Sequence, residues 1–374
     1  MTSRSDDVKY YRDPVHNYIE VYPEEQAIIS HPLFQRLRRI KQLGFGHYIF
    51  HGAEHTRFGH SLGVMKIVDD ICGRLGIKSE DEILWKKLRV AALLHDIGHA
   101  PYSHTLEGVI SDGGGRHIKH EDYTEEILRK TEIRDILEKE FNFDSKDIND
   151  IVLLIRGKHP NVLSSQIIHS ELDADRLDYL LRDSLYCGVK YGVFDYHRLI
   201  MSLGHYENKY LVVTEKGRYV AEEFLFARLY MYIQVYAHKT KRGFELLAKR
   251  LFTELTESNV IPNLYPQLSD DLNILKYYDD SWFNTLLKDI IEGKIKVRRK
   301  LQDWARMLLF RERLKVIDKI QEFIEIKSGD IRARKEFHAL SGLLTVREKR
   351  EILANKANVE IDDIFIDAPE IEIT

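Results

Sequence analysis

The sequence predicts a mainly α-helical protein with a small β-hairpin and a smaller α+β C-terminal region. Three observations lead there. Over most of the 374 residues, apolar side chains recur at three- and four-residue spacing, the period of a helix with one face in a core. Proline is scarce, at eight residues, so long helices go uninterrupted. Period-two alternation, the mark of a half-buried strand, is confined to short stretches.

Taken in order, "DPVHNYIEVYP" (Asp13–Pro23) alternates apolar with polar residues and predicts an extended segment ahead of the first helix. "LGVMKIVDDICGRL" (Leu62–Leu75), "KKLRVAALLHDI" (Lys86–Ile97) and "YTEEILRKTEIRDILEKEF" (Tyr123–Phe141) carry helical spacing. So does the long run from Glu223 to Leu255. "KYLVVTEKGRYVA" (Lys209–Ala221) predicts a hairpin, two β-branched or aromatic runs around a turn at Gly217. Two prolines in "SNVIPNLYPQLSDD" (Ser258–Asp271) mark a boundary, dividing a core at 1–257 from a C-terminal helical and α+β region at 258–374. Within that region Lys294–Lys315 is basic and reads as a solvated helix face paired with acids, ahead of phosphate or RNA contact. "DDIFIDAPEIEI" (Asp362–Ile373) alternates again, and Pro369 suits an edge strand.

Composition narrows the function classes. A hydrophobic content of 44% and a charged content of 31% describe an ordinary globular chain. With a formal net charge of −4 there is no global basic field, so nucleic-acid binding is not indicated. The two cysteines, Cys72 and Cys187, stand far apart, which argues against a disulfide scaffold or a thiolate zinc site and for a reducing compartment. No signal-peptide pattern and no apolar run near the ~20 residues of a membrane span occur, so a cytoplasmic protein with no membrane partner is expected.

Histidine is unevenly spread. Of 17, eight fall in one stretch: His51, His55, His60, His95, His99, His104, His117 and His120. "AALLHDIGHAPYSH" (Ala91–His104) runs titratable groups straight out of an apolar segment. Buried imidazole and carboxylate are costly unless partnered, so either these groups satisfy one another or a metal or an anion does. Three separated segments supply ligands: His60 in "HTRFGHSLG", the pair His95–Asp96, and Asp175 in "ELDADRLDYLLRDS". Two imidazoles and two carboxylates make a mixed N/O site suited to one divalent ion: Mn, Fe, Zn, Ni or Mg. Asp173 and Asp178 read as ordinary helix-surface charges, and His55 and His117 as supporting or exposed groups.

These segments resemble the HD-domain phosphohydrolase superfamily, and in particular its deoxynucleoside triphosphate triphosphohydrolase (dNTPase) branch. Similarity runs from "DPVHNYIEV" through "HPLFQRLRRIKQLGFGHYIFHGAEHTRFGHSLGV", "LLHDIGHAPYSH", "KHEDY" and "ELDADRLDYLLRDS" to "VYAHK", about residues 10 to 240. The resemblance implies an HD-domain helical core, and no SAM domain is expected in this chain. It implies His60, His95, Asp96 and Asp175 as metal ligands, and His99, His104 and His120 as active-site histidines. His104 would give a proton to the leaving oxygen, oriented by Glu107 or Glu121. Arg57 and Arg228 match phosphate-binding positions, and Arg176 stands where relatives carry lysine.

The resemblance also implies that Tyr179 and Tyr236 flank the sugar, that Gln42 and Asp183 contact its 3′-hydroxyl, and that Leu43 packs beneath it. From the residues alone, the two tyrosines read as core aromatics and Gln42–Leu43 as the end of a basic helix. Gln35, Arg38, His238 and Lys239 match an activator-nucleotide site. Ser30 replaces an acidic residue that reads guanine there, and Tyr232 replaces a histidine one turn before Tyr236. The implied reaction is metal-dependent hydrolysis of a dNTP to deoxynucleoside and inorganic triphosphate by a dimer or tetramer. Its alternatives are another HD-type phosphohydrolase, acting on nucleoside monophosphates, cyclic dinucleotides or alarmones, and a nucleotide- or nucleic-acid-binding sensor.

Overall fold

A computed structural model describes residues 8–106, 118–261, 272–312 and 314, apart from the side chains of His104 and Asn273. It is mainly helical. A hairpin, β1 (Lys9–Asp13) with β2 (Asn17–Val21), opens the chain, its antiparallel register running from Lys9↔Val21 to Asp13↔Asn17. Two short helices follow, α1 (Pro23–Ser30) and α2 (Pro32–Gln35).

The core is built on α3 (Arg57–Leu75), which begins after the extended Thr56 and stops at Gly76, whose φ of +81° only glycine adopts readily. After the single turn α4 (Ile77–Glu80), α5 (Glu82–Leu94) starts on the Asp81 side chain, which accepts the Leu84 N–H. It buries Leu88, Val90, Ala91, Leu93 and Leu94. α6 (His120–Lys130), α7 (Glu132–Glu140), α8 (Ser145–Ile155) and α9 (Val162–Ile168) lead to α10 (Ala174–Cys187). α5 and α10 both pack on α3, so their ends meet its first turn. Among the described residues no helix is long and apolar enough to cross a membrane.

The helical stretch 123–141 divides in two, because Thr131 is extended and its hydroxyl caps the second helix by accepting the Ile133 N–H. Two expectations change. The second hairpin lies upstream of its expected place. α11 (Tyr196–Ser202) runs into β3 (Leu203–Tyr206), which pairs with β4 (Tyr210–Val213) through a turn at Glu207 and Asn208, both at positive φ. Gly217 makes no hairpin turn; a Cβ there would stand 2.3 Å from that of Ser202, and Arg218 already opens α12 (Arg218–Met231). The run 223–255 is also broken. A π turn over Tyr232–Tyr236 separates α12 from α13 (Lys239–Glu257), capped by His238.

Beyond the proposed boundary, α14 (Asp280–Ile291) and α15 (Arg299–Leu309) are helical. This segment grips the N-terminal core: buried Arg36 donates to the Tyr278 carbonyl at 2.8 Å, and Asp280 accepts the N–H groups of Lys41 and Tyr102. In the basic stretch, Arg298 pairs with Glu254 and Arg306 lies near Asp303 and Glu312. The C-terminal strand expected at 362–373 lies outside the described residues.

Candidate active site

Three helix ends converge. His60 sits in the first turn of α3, His95 and Asp96 follow the last turn of α5, and Asp175 lies in the first turn of α10. His60 Nε2 is 3.0 Å from Asp175 Oδ1 and 3.7 Å from Asp96 Oδ2. His95 Nε2 is 3.3 Å from Asp96 Oδ1 and 3.9 Å from Asp175 Oδ1. One donor atom each from His60, His95 and Asp96 lies within 4.8 Å of the others.

The donor chemistry fits a cation. The Ala92 carbonyl, 2.7 Å from His95 Nδ1, can only accept, so Nδ1 donates to it and Nε2 is the ring nitrogen turned toward the carboxylates. That buried Nε2 makes no hydrogen bond among the described residues. His60 Nδ1 donates to Asp178 Oδ2 at 2.8 Å, turning its Nε2 inward in the same way. Burial opposes a charged His60, but Asp175 and Asp178 on its two nitrogens push it up to about 10. A metal would therefore displace the Nε2 proton. Burial would raise Asp96, yet Arg57, His95 and His99 hold it well below the usual carboxylate range.

A second set of groups adjoins Asp96. Its Oδ1 is 3.1 Å from His99 Nε2, and the His99 ring stacks on His120 at 3.9 Å. Gly98 permits this approach: a Cβ there would be 2.1 Å from the His120 carbonyl oxygen. Burial, with Arg57 and His120 nearby, pulls His99 down to about 3. Glu121 Oε2 lies 3.5 Å from His120 Nδ1. Arg57 donates to Asp96 at 2.5 Å and to Ser103 Oγ at 2.8 Å. Glu107, His117 and the His104 side chain lie outside the described residues.

On the far side, Tyr179 and Tyr236 meet edge to face at 5.9 Å. Tyr236 donates to Asp183 Oδ2 at 2.8 Å, and His55 Nε2 holds Asp183 Oδ1 at 2.7 Å. The His55 carbonyl accepts the Gln42 N–H, while the buried Gln42 Oε1 is without a partner among the described residues. Leu43 is buried beside it. Asp175, Arg176 and Arg228 are all close enough to act on the Tyr179 phenol, which burial raises. Arg176 pairs with Asp173 and donates to the Ser170 carbonyl, and Arg228 pairs with Glu171. Of the candidate activator residues, Arg38 donates to Gln35 at 2.9 Å and stacks on Phe58, and His238 meets Phe50 edge to face.

Two readings need correction. Asp178 is not a surface charge but fully buried, accepting from His60, His16 and both sides of Arg182. Asp173 is buried too, capping α10 through the Arg176 N–H. The sequence signal for the first was a helix-interior glycine. At Gly63 a Cβ would lie 1.9 Å from Asp178 Oδ1.

Residues 57–183 match the HD domain, and residues 194–373 match the HD associated region. Protein YwfO of Bacillus subtilis is 40% identical over 249 residues, 65% of this chain and 55% of its own. The deoxynucleoside triphosphate triphosphohydrolase SAMHD1 homolog of Dictyostelium discoideum is 30% identical over 323 residues, 83% of this chain and 60% of its own. The chain spans about half the length of the first of these curated relatives. A hypothetical protein from Aquifex aeolicus superposes with a TM-score of 0.69 at 34% identity, over 81% of this chain and 76% of its own. A phosphohydrolase from Bacteroides thetaiotaomicron does so with 0.72 at 27% identity, over 95% and 85%.

Proposed function

The chain belongs to the HD-domain family, and on that premise we propose that it is a metal-dependent phosphohydrolase cleaving deoxynucleoside triphosphates to deoxynucleoside and inorganic triphosphate. One observation carries the reading: the donor atoms of His60, His95, Asp96 and Asp175 face one another, with His95 Nε2 otherwise unspent. A divalent ion held there supplies Lewis acidity to a phosphoryl oxygen and to water.

The chain's own groups do the rest. Arg57 binds phosphate beside Asp96, and Arg176 and Arg228 exchange Asp173 and Glu171 for the triphosphate, neutralising charge that grows in the transition state. The departing 5′-oxygen takes its proton from His104, oriented by Glu107 or Glu121, while His99 and His120 line the phosphate path. Tyr179 and Tyr236 hold the sugar, with Asp183 and the buried Gln42 Oε1 as acceptors for its 3′-hydroxyl. Leu43 beneath the ring leaves a 2′-hydroxyl no partner, which disfavours ribose. The deoxynucleoside triphosphate triphosphohydrolases among the relatives support this choice of substrate. The same reading carries an activator nucleotide at Gln35, Arg38, His238 and Lys239 and assembly into a dimer or tetramer.

The test is to incubate the protein with each dNTP and Mn or Mg and separate the products. Triphosphate and deoxynucleoside, lost in His95→Ala and Asp175→Ala, are expected; nucleoside monophosphate with pyrophosphate, or no turnover with any metal or added nucleotide, would overturn it.

A further inference from the structure

The N-terminal hairpin reaches the metal centre through one carboxylate. His16, between β1 and β2, places its Nε2 2.6 Å from Asp178 Oδ1, although the two are 162 residues apart. Both side chains are almost wholly buried. Asp178 accepts four times: Oδ1 from His16 and from Arg182 Nη2 at 2.9 Å, Oδ2 from His60 Nδ1 at 2.8 Å and from Arg182 Nε at 2.8 Å. A carboxylate enclosed by Arg182 on both oxygens and by His60 acts here as the acceptor, so the proton of the short contact belongs to His16 Nε2.

His16 is itself fixed. Asp13 Oδ1 accepts its N–H at 3.0 Å and that of Val15 at 2.9 Å, while Asp13 Oδ2 takes Arg182 Nη1 at 2.9 Å. The imidazole meets Tyr196 edge to face at 5.9 Å, and the Tyr196 hydroxyl donates to Asp70 on α3. We propose that His16 is a positioning residue for the metal ligand His60, acting through Asp178. The inference rests on the metal reading of the His60 cluster.

The physical case is one of alternatives. An apolar contact of the same size would hold a hairpin on α3 without taking four polar groups out of water, so attachment alone does not call for this network. What the network does is pin the carboxylate plane. Arg182 alone grips it as a fork about which it can rock; His16 closes the remaining direction on Oδ1 and so aims Oδ2 at His60 Nδ1. The opening at Gly63 exists for this carboxylate, since any Cβ would displace it. His16 and Asp13 both precede the HD-domain match, which begins at residue 57.

The experiment compares Mn²⁺ affinity, by titration of the free ion, in the wild type, His16→Ala and His16→Gln, whose amide reaches as far as Nε2. His16→Ala is expected to bind about tenfold more weakly, and His16→Gln to recover most of that loss. If His16→Ala does not fold, His16→Asn, too short to reach Oδ1, takes its place. A loss under about twofold in His16→Ala, or His16→Gln no tighter than His16→Ala, overturns the proposal. A wild type that binds neither Mn²⁺ nor any other of the candidate divalent ions overturns the metal reading instead. The proposal is then judged on the metal-free protein, where the ¹⁵N signal of His60 Nδ1 must move in His16→Ala; an unmoved signal refutes it.

Discussion

Asp280 accepts the backbone N–H of Tyr102 at 2.7 Å from inside the core, tying the start of α14 to the loop that follows the His-Asp pair. Its other oxygen takes the Lys41 N–H at 3.0 Å. The helix beyond residue 258 is thus part of the frame behind the candidate active site.

This contact sets a pH dependence. Burial pushes the Asp280 carboxyl up to about 6, against the Tyr102 and Lys41 hydrogen bonds that favour its charged form. A folded value above the unfolded one contributes stability that is full below about pH 3.8 and is lost as pH rises through about 6. Asp280→Asn removes that slope and leaves a constant offset for the altered hydrogen bond. Urea unfolding from pH 4 to 8 should show the wild type losing up to about 3 kcal/mol relative to the variant, at about 1.4 kcal/mol per pH unit. Parallel curves would refute the assignment.

Arg36 ties two segments by carbonyls alone, donating to Ile97 at 2.6 Å and Tyr278 at 2.8 Å with no exposed surface. Arg36→Met leaves both acceptors without donors and should cost about 2–4 kcal/mol in unfolding free energy, the relief of a buried charge offsetting part of it. Because Ile97 follows Asp96, Mn²⁺ affinity should fall as well. Unchanged stability would mean that the carbonyls find other donors.

Gly98 is needed for space. Its Cβ would stand 2.1 Å from the His120 carbonyl oxygen and 2.6 Å from the Thr124 nitrogen, both backbone atoms of α6. Gly98→Ala should destabilise by at least about 2 kcal/mol and separate His99 from His120. Thermal melting and kcat measured together check this; a stable variant with full kcat would contradict it.

Tyr236→Phe removes one of the two contacts that hold Asp183, leaving His55 in place. The expected result is a KM for dNTP raised about tenfold, the size of one charge-assisted hydrogen bond, with kcat nearly kept. A fall in kcat at constant KM would move Tyr236 from binding the sugar to the chemical step.

The four candidate ligands were legible because each lies in a short string where chemistry and spacing coincide: a histidine opening a helix, a His-Asp pair ending one, an aspartate in a first turn. Asp178 was not. One turn beyond Asp175, it looks like another charge on a solvated face; only the opening at Gly63 turns that face inward. Its partner His16 is separated from it by most of the core, and nothing local announces a pairing of that range. The second hairpin was misplaced for a similar reason. In sequence Gly217 has the look of turn chemistry, whereas it serves close packing on Ser202, and the turn itself uses Glu207 and Asn208 at positive φ. The long run after Glu223 keeps its period across a π turn that shifts the register without breaking the apolar pattern.

The most direct test of the central claim is hydrolysis of a dNTP in ¹⁸O-labelled water with Mn²⁺, reading the products by mass spectrometry. Attack at the α-phosphorus with departure of the 5′-oxygen puts the label in inorganic triphosphate and leaves the deoxynucleoside unlabelled. Label in a nucleoside monophosphate or in the deoxynucleoside, or no product with any of the candidate metals and added nucleotide, would contradict it.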